Sequence, residues 1–343
     1  MRRILLTGAD GYIGSVLGEI LVKNGYSVKG IDSFFFKNDT LGPYEPKFKI
    51  VKKDIRHLKP KDLEKIDAII HLAGLSNDAL SVLSPSLTEQ INFKATISLA
   101  KMAKKVGVKK FLFSSSCSIY GISDDEIVNE QSKVNPLTPY AKSKIMSENA
   151  LQDLADSDFF VGLLRNSTVY GYSPKYRNDL VVNNLTSCAS VFSEIQIHSD
   201  GTPWRPFIDI RDLSHIFIAF LKTANEEVNG KIINIGFSEN NLRVNDILPV
   251  IKTVYPGCRV VYTKKHGNDS RSYKVDFSLF KKLFPDISMR YSLKDSIKTL
   301  SQKLERHGFT HENFSSGKYE RILSLRNLLK KELLSGRLFW STN

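Results

Sequence analysis

The sequence predicts an α/β fold in which a doubly wound parallel sheet carries a smaller carboxy-terminal domain. Three observations lead there. Over the first 170 residues, short apolar runs alternate with stretches of helical periodicity. The first apolar run ends in a glycine-rich turn, TGADGYIG, that opens directly into a helical pattern. After Gly171 the alternation gives way to polar, loop-rich sequence.

The elements follow in order. RRILLTG is a short strand, and GYIGSVLGEILVKNG places Ile13, Val16, Leu17, Ile20 and Leu21 at helical spacing before stopping at Asn24-Gly25. YSVKGID, FKIVKKDI and KIDAIIHLAG read as the second, third and fourth strands. A helix is expected from about 85 to 106, then the strand KKFLFSSS, a helix from 139 to about 155, and the strand FFVGLLRNS. Strands alternating with helices build βαβ units with helices on both faces, a Rossmann-type sheet. Residues 1–171 are assigned to this domain, with segments near 207–236 returning to it. Residues 172–343 are assigned mainly to a substrate-binding domain and a carboxy-terminal helix. That helix, KYERILSLRNLLKKELLSG, is basic and amphipathic over 318–336. Packing on the body of the protein and binding a partner both suit it.

Composition narrows the function classes. The chain has 343 residues, 41% hydrophobic and 25% charged, without a repeat or an apolar run of membrane-spanning length. The start, MRRILLTGADG, is too short in apolar residues for a signal-peptide core. Cys117, Cys188 and Cys258 lie far apart and outside any CxxC spacing, which points to a reducing compartment, the cytoplasm, and to no structural metal. The net charge is +13, but the lysines are scattered in short pairs such as Lys52-Lys53 and Lys109-Lys110. That distribution predicts neither a nucleic-acid stripe nor a membrane surface; it suits a lysine-rich surface with local potential for a phosphorylated ligand.

Gly8, Gly11 and Gly14 sit between the first strand and first helix, where glycine lets backbone approach a pyrophosphate at a helix N-terminus. Tyr12 and Ile13 belong to the same turn. The spacing is GxxGxxG, and its weight comes from the strand before it, the helix after it, and Asp32 closing the second strand. A carboxylate there accepts from both adenosine ribose hydroxyls and repels a 2'-phosphate, so the expected cofactor is NAD rather than NADP. Phe34 to Phe36 either shield the adenosine or pack in the core. Asp54 and Ile55 end the third strand, within reach of the adenine. Leu72, Ala73 and Gly74 end the fourth with small groups that let backbone close on the phosphates, and His71 reads as structural.

PYAKSK sets Tyr140 and Lys144 one helical turn apart, on one face. Thirteen tyrosines in a lysine-rich chain produce such a pair by chance. The pair gains meaning from Ser116, at the carboxyl end of the fifth strand, where open α/β sheets bind ligands. Taken together, TGADGYIG, Asp32, HLAG, FSSSCSIYG, PYAKSK and LRNSTVYG resemble the extended short-chain dehydrogenase/reductases, the NAD-dependent sugar-nucleotide epimerase and dehydratase group, over roughly residues 1 to 300.

The resemblance implies that Tyr140 is the catalytic base, Lys144 its partner, and Ser116 a hydroxyl that fixes the reacting sugar hydroxyl. Tyr140, Lys144 and Ser114 also fall on the cofactor surface. A free tyrosine, with a pKa of about 10, must drop about three units, roughly 4 kcal/mol, to act at neutral pH. Family dehydratases place an acidic pair after the Ser/Thr; here Cys117 and Ser118 stand there, which disfavours elimination. The implied reaction is oxidation at C4 of a nucleotide-linked sugar, most simply a 4-epimerisation. An uncoupled dehydrogenase or ketoreductase is the alternative, and a non-catalytic dinucleotide sensor a more distant one. On the substrate side the resemblance implies Ser118, Asn166, Arg205 and Arg271, the arginines toward the diphosphate. Asp209 and Asp212 are expected to cap the next helix. Arg177, Asn178 and Asn183 fall in the stretch that covers the substrate. Helices 85–106 and 139–155 are the pair family members use for a homodimer, with C2 symmetry.

The reading of Asp32 is testable. Calorimetry should find NAD bound more tightly than NADP, and Asp32→Ala should erase most of that preference; tighter NADP binding by the unmodified protein would overturn the assignment.

Overall fold

Five parallel strands, β1 (Arg3–Thr7), β2 (Ser27–Asp32), β3 (Lys49–Lys52), β4 (Ala68–His71) and β5 (Lys110–Ser116), form most of the central sheet in the computed structural model, which describes residues 2–76, 78–122, 125–263 and 272–341. The strands Phe160–Asn166 and Ile232–Ile235 complete seven. From one edge the order is β3, β2, β1, β4, β5, Phe160–Asn166, Ile232–Ile235, and every pairing is parallel. The order reverses between β1 and β4, the switch point at which such sheets bind ligands. Register brings the chemistry to one edge. Thr7 pairs with Ile31 and His71, Asp32 with Lys52, and Ser116 with Asn166.

The central strands are apolar throughout because both faces are covered. Leu5, Ile69, Phe111 and Phe113 face one layer, with Leu99 and Ala103 of the helical run 85–105 and Leu151. Ile4, Leu6, Ile70 and Leu112 face the other, against Leu17 and Leu21 of α1 (Tyr12–Lys23) and Leu213, Ile216 and Phe217 of the helix Ile210–Lys222. The run 85–105 is not uniform: Glu89–Lys94 is a π-helical turn between two α segments. The helix Pro139–Gln152 begins with Pro139 at its first position and Thr138 capping the Ala141 N–H, as its sequence dictates. It stops at Gln152, short of the expected 155.

Over the carboxyl edge sits a second layer. Thr168–Tyr170, Trp204–Asp209 and Asn241–Arg243 form a small mixed sheet, while helices Val181–Phe192, Val244–Val254 and Leu293–Arg306 share a core of Leu185, Ile195, Ile247, Ile251 and Ile297.

The carboxy-terminal helix is shorter than its periodicity suggests, Arg321–Lys330 instead of 318–336. Glu332 turns left-handed at φ 55°, and the chain doubles back through a bridge between Leu334 and Trp340. Burial drives that reversal. Leu325, Leu334 and Leu338 join the core beneath β1, β2 and β4. Among the described residues no helix is long and apolar enough to cross a membrane, and no cluster of His, Cys, Asp or Glu could hold a metal.

Candidate active site

Gly8, Gly11, Tyr12, Ile13, Gly14, Asp32, Asp54, Ile55, Leu72, Ala73, Gly74, Ser114, Ser116, Ser118, Tyr140, Lys144 and Asn166 all line one cleft along the carboxyl ends of the strands. Its floor is backbone. Gly8 has φ +71°, and a Cβ there would stand 2.8 Å from the Ala73 nitrogen. A Cβ on Gly14 would stand 2.1 Å from the Gly8 carbonyl oxygen. Gly11 caps α1 without a side-chain acceptor, so the first-turn N–H groups face an anion site with no competing carboxylate or hydroxyl. The floor fits a dinucleotide pyrophosphate.

The loop after β4 is held by Asn92, from the π-helical turn. Its Oδ1 accepts the Leu75 N–H at 2.7 Å, and its Nδ2 donates to the Leu75 carbonyl at 3.1 Å. Neither contact was evident in the sequence. His71 lies beneath this loop and shares hydrogen bonds with the Thr7 and Thr96 hydroxyls at 2.7 and 2.8 Å. Burial pushes its pKa down to about 3, so it is a neutral packing group.

At the end of β2, Asp32 accepts the Asp10 N–H at 3.0 Å and the Phe34 N–H at 2.7 Å. Burial raises its carboxyl above the ordinary range, with the two N–H groups pulling back. Asp54 grips Arg56 at 2.6 Å and caps the Arg56 N–H, which fixes its carboxylate at the cleft wall. Phe35 and Phe36 line the cleft and also pack on the core.

The catalytic candidates meet at the end of β5. Lys144 Nζ donates to the Ser114 carbonyl at 2.6 Å and lies 5.5 Å from the centre of the Tyr140 ring. Burial lowers the Lys144 pKa to about 8, opposed by the charge of Glu148. Burial raises the Tyr140 phenol to about 12, and the Asp78 carboxylate adds to the rise; a hydrogen bond with Ser116 and the charge of Arg177 oppose it. Asp78 lines the cleft and accepts from the Thr138 hydroxyl, a contact sequence reasoning missed. Ser116 Oγ donates to Ser118 Oγ at 2.9 Å. Cys117 turns away and donates to the Arg165 carbonyl at 3.2 Å, its thiol pushed far above neutral by burial.

Behind them, Glu148 and Arg165 pair at 2.8 Å with both side chains buried. Ser115 donates to Glu148, and Arg165 donates to the Tyr120 hydroxyl at 3.0 Å. This network ties the end of β5 to the helix that carries Tyr140 and Lys144.

On the substrate side the outcome divides. Asn166 donates to Ser114 Oγ at 2.9 Å, while its buried Oδ1 has no protein partner among the described residues and is available to a ligand. Arg177 lines the cleft, paired with Asp179 at 2.7 Å. Asn183 is spent on structure, accepting from the Gly171 N–H and donating to the Tyr12 hydroxyl and the Arg177 carbonyl. The buried Asn178 amide has no partner among the described residues. Arg205 does not line the cleft; it donates to the Trp204 carbonyl at 2.8 Å and lies 5.4 Å from the Tyr273 ring. Arg271 lies outside the described residues. Asp209 caps its helix at the Arg211 N–H, whereas Asp212 accepts the Arg290 and Tyr291 N–H groups at 3.3 Å and so anchors a distant loop instead.

Residues 4–236 match the model of the NAD dependent epimerase/dehydratase family, and the chain belongs to that family. NAD is its cofactor. More particularly, the chain is 29% identical over 324 residues to the UDP-glucuronate 4-epimerase of Thermodesulfobacterium geofontis (strain OPF15), across 89% of this chain and 98% of the relative. Among solved structures, the UDP-glucuronic acid 4-epimerase from Bacillus cereus in complex with UDP-glucuronic acid and NAD superposes with a TM-score of 0.76 at 26% identity, over 89% of this chain and 99% of that one. The NAD-dependent NDP-hexosamine 5,6-dehydratase TunA superposes with a TM-score of 0.79 at 25% identity, over 89% and 98%.

The geometry around Tyr140 predicts its titration behaviour. Burial keeps Tyr140 mostly protonated near neutrality, and only its phenolate accepts the sugar proton, so single-turnover sugar oxidation should increase with pH from 6 toward 8. Tyr140→Phe should lower that rate by a factor of at least about 100 and flatten its pH dependence. Stopped-flow reduction of bound NAD checks both; near-normal turnover in the variant would remove Tyr140 from the chemistry.

Proposed function

We propose that the chain is an NAD-dependent sugar-nucleotide 4-epimerase. The observation that carries this reading is the meeting of Ser116, Tyr140 and Lys144 beside the glycine floor, with no carboxylate following Ser116. When bound, NAD supplies a hydride acceptor whose ring is positively charged.

The protein's own groups supply the rest. Ser116 accepts or donates at the C4 hydroxyl and holds it toward Tyr140. Tyr140 takes the hydroxyl proton as the C4–H bond is lost, and returns it when the ketone is reduced from the opposite face. The Lys144 cation, 5.5 Å from the centre of the Tyr140 ring, favours the ionised form of the phenol. Asn166 Oδ1 offers an acceptor at the mouth of the sugar site. Elimination of water needs an acid and a base aligned with the leaving group. Cys117, buried and turned toward Arg165, and the hydroxyl of Ser118 cannot fill those roles, which sets the chain apart from the dehydratase reading.

The relatives' substrates make UDP-linked sugars the first class to test. Nuclear magnetic resonance of UDP-glucuronic acid or UDP-glucose incubated with the purified protein should show the C4 epimer accumulating without net reduction of NAD. Stoichiometric NADH together with a stable 4-ketone would make the protein a dehydrogenase, and an unsaturated product a dehydratase. Either result overturns the proposal.

We also propose a homodimer and a cytoplasmic location. The helical run 85–105 and the helix Pro139–Gln152 lie side by side, and Met146 on the second is 40% exposed. A two-fold contact through these helices would cover it. Light scattering at micromolar concentration should report twice the 38.8 kDa chain mass; a monomer would refute the dimer.

A further inference from the structure

Residues 319–341 pack beside the ends of β2 and β3, and Arg321 of this segment lines the cleft. Arg321 is 2% exposed yet lines that cleft. Its Nη1 donates to Asp39 at 3.0 Å, its Nη2 donates to the Lys175 carbonyl at 3.0 Å, and its guanidinium lies 4.4 Å from the Phe36 ring centre. A guanidinium has five N–H donors, so these two bonds leave donors for an oxygen-rich ligand. Its charge also acts on Asp10, in the glycine-rich turn after β1, and on Asp32, which ends β2.

Farther along, the same segment braces both strand ends that face the adenosine. Trp340 Nε1 donates to the Ser33 carbonyl at 2.6 Å, directly after Asp32, and its ring centre is 6.2 Å from Phe35 and 4.1 Å from the Lys52 ammonium. Phe339 stacks on His57 at 4.9 Å and lies 3.8 Å from the Arg56 guanidinium. Arg56 donates to the Arg337 carbonyl at 2.9 Å while holding Asp54. Leu334 and Leu338 anchor the segment between these contacts, 3% and 4% exposed.

We propose that residues 319–341 are a strap that retains the dinucleotide, with Arg321 a cofactor-site residue facing its ribose or pyrophosphate oxygens and Trp340 the latch. The proposal rests on the epimerase reading in one respect: an enzyme that removes a hydride and gives it back keeps the same nicotinamide throughout, and a strap over the adenosine end slows exchange without touching the sugar site. A ligand that binds the closed strap more tightly than the open one also holds the strap closed, by linkage.

The test measures dissociation of labelled NAD from the purified full-length protein, chased with unlabelled NAD and no sugar present. Trp340→Ala and Arg321→Gln should each speed release by at least tenfold, while the circular dichroism of Trp340→Ala matches that of the unmodified protein. Release within twofold of the unmodified rate in folded Trp340→Ala overturns the strap. Should Arg321→Gln fail to fold, hydrogen exchange on the unmodified protein decides. Bound NAD should slow exchange at amides 332–341 at least tenfold, and equal exchange with and without NAD overturns the proposal. The two readings fail separately. Slow, strap-dependent release without epimer formation sinks the epimerase alone, and epimer formation with freely exchanging NAD sinks the strap alone.

Discussion

The buried pair of Glu148 and Arg165 is the constraint on which the catalytic geometry depends. Both charges are out of water, at 0% and 5% side-chain exposure, where each ion costs several kcal/mol in desolvation unless its partner is held in good geometry. Arg165 sits on Phe160–Asn166, the strand next to β5, and Glu148 on the helix of Tyr140 and Lys144, one turn beyond Lys144. Breaking such a pair by removing one partner typically costs about 3–5 kcal/mol. The pair therefore locks the strand and the helix into one register, and the spacing of Ser116, Tyr140 and Lys144 follows from that register.

The same constraint explains why β5 ends in serines. Ser114 offers its carbonyl to Lys144 and its hydroxyl to Asn166, Ser115 donates to Glu148, and Ser116 turns to Ser118 and Tyr140. Alternation sends successive side chains to opposite faces, so a strand that must serve a structural charge on one side and a ligand on the other needs small hydroxyls on both. Cys117, the next residue, begins a turn and packs against Ile119, Tyr120 and Tyr273.

Local signals carried the sheet and the cofactor floor: strand periodicity, glycine spacing and a carboxylate closing β2 each depend on a few adjacent residues. What stayed illegible depends on contacts between distant segments. Glu148 lies within the helix expected over 139–155, and only its partner on another strand makes it structural. Arg321 lies in a basic stretch indistinguishable from a surface helix, until Asp39 and the Lys175 carbonyl are brought beside it. The sequence extends that helix to 336 because Leu333 and Leu334 continue its apolar pattern, whereas Leu334 buries itself through a reversed chain. Asp212 has the position of a first-turn capping residue, and its use on the 290–291 backbone follows from the tertiary placement of that loop. Arg205 is implied by the resemblance alone, and in the structure it lies beside the Tyr273 ring, outside the cleft lining.

The reach of the carboxy-terminal segment bears on how the protein is made. Trp340 bonds to Ser33 and Arg337 to Arg56 across sequence separations of 307 and 281 residues. During synthesis the nucleotide-binding strands emerge first, and amino-terminal units generally begin folding while the chain is still growing. Here β1 to β5 can assemble early, but Leu325, Leu334 and Leu338 are part of the same core, so its apolar surface stays partly uncovered until they arrive. The nascent chain thus carries an incompletely covered core until the carboxy-terminal leucines are made.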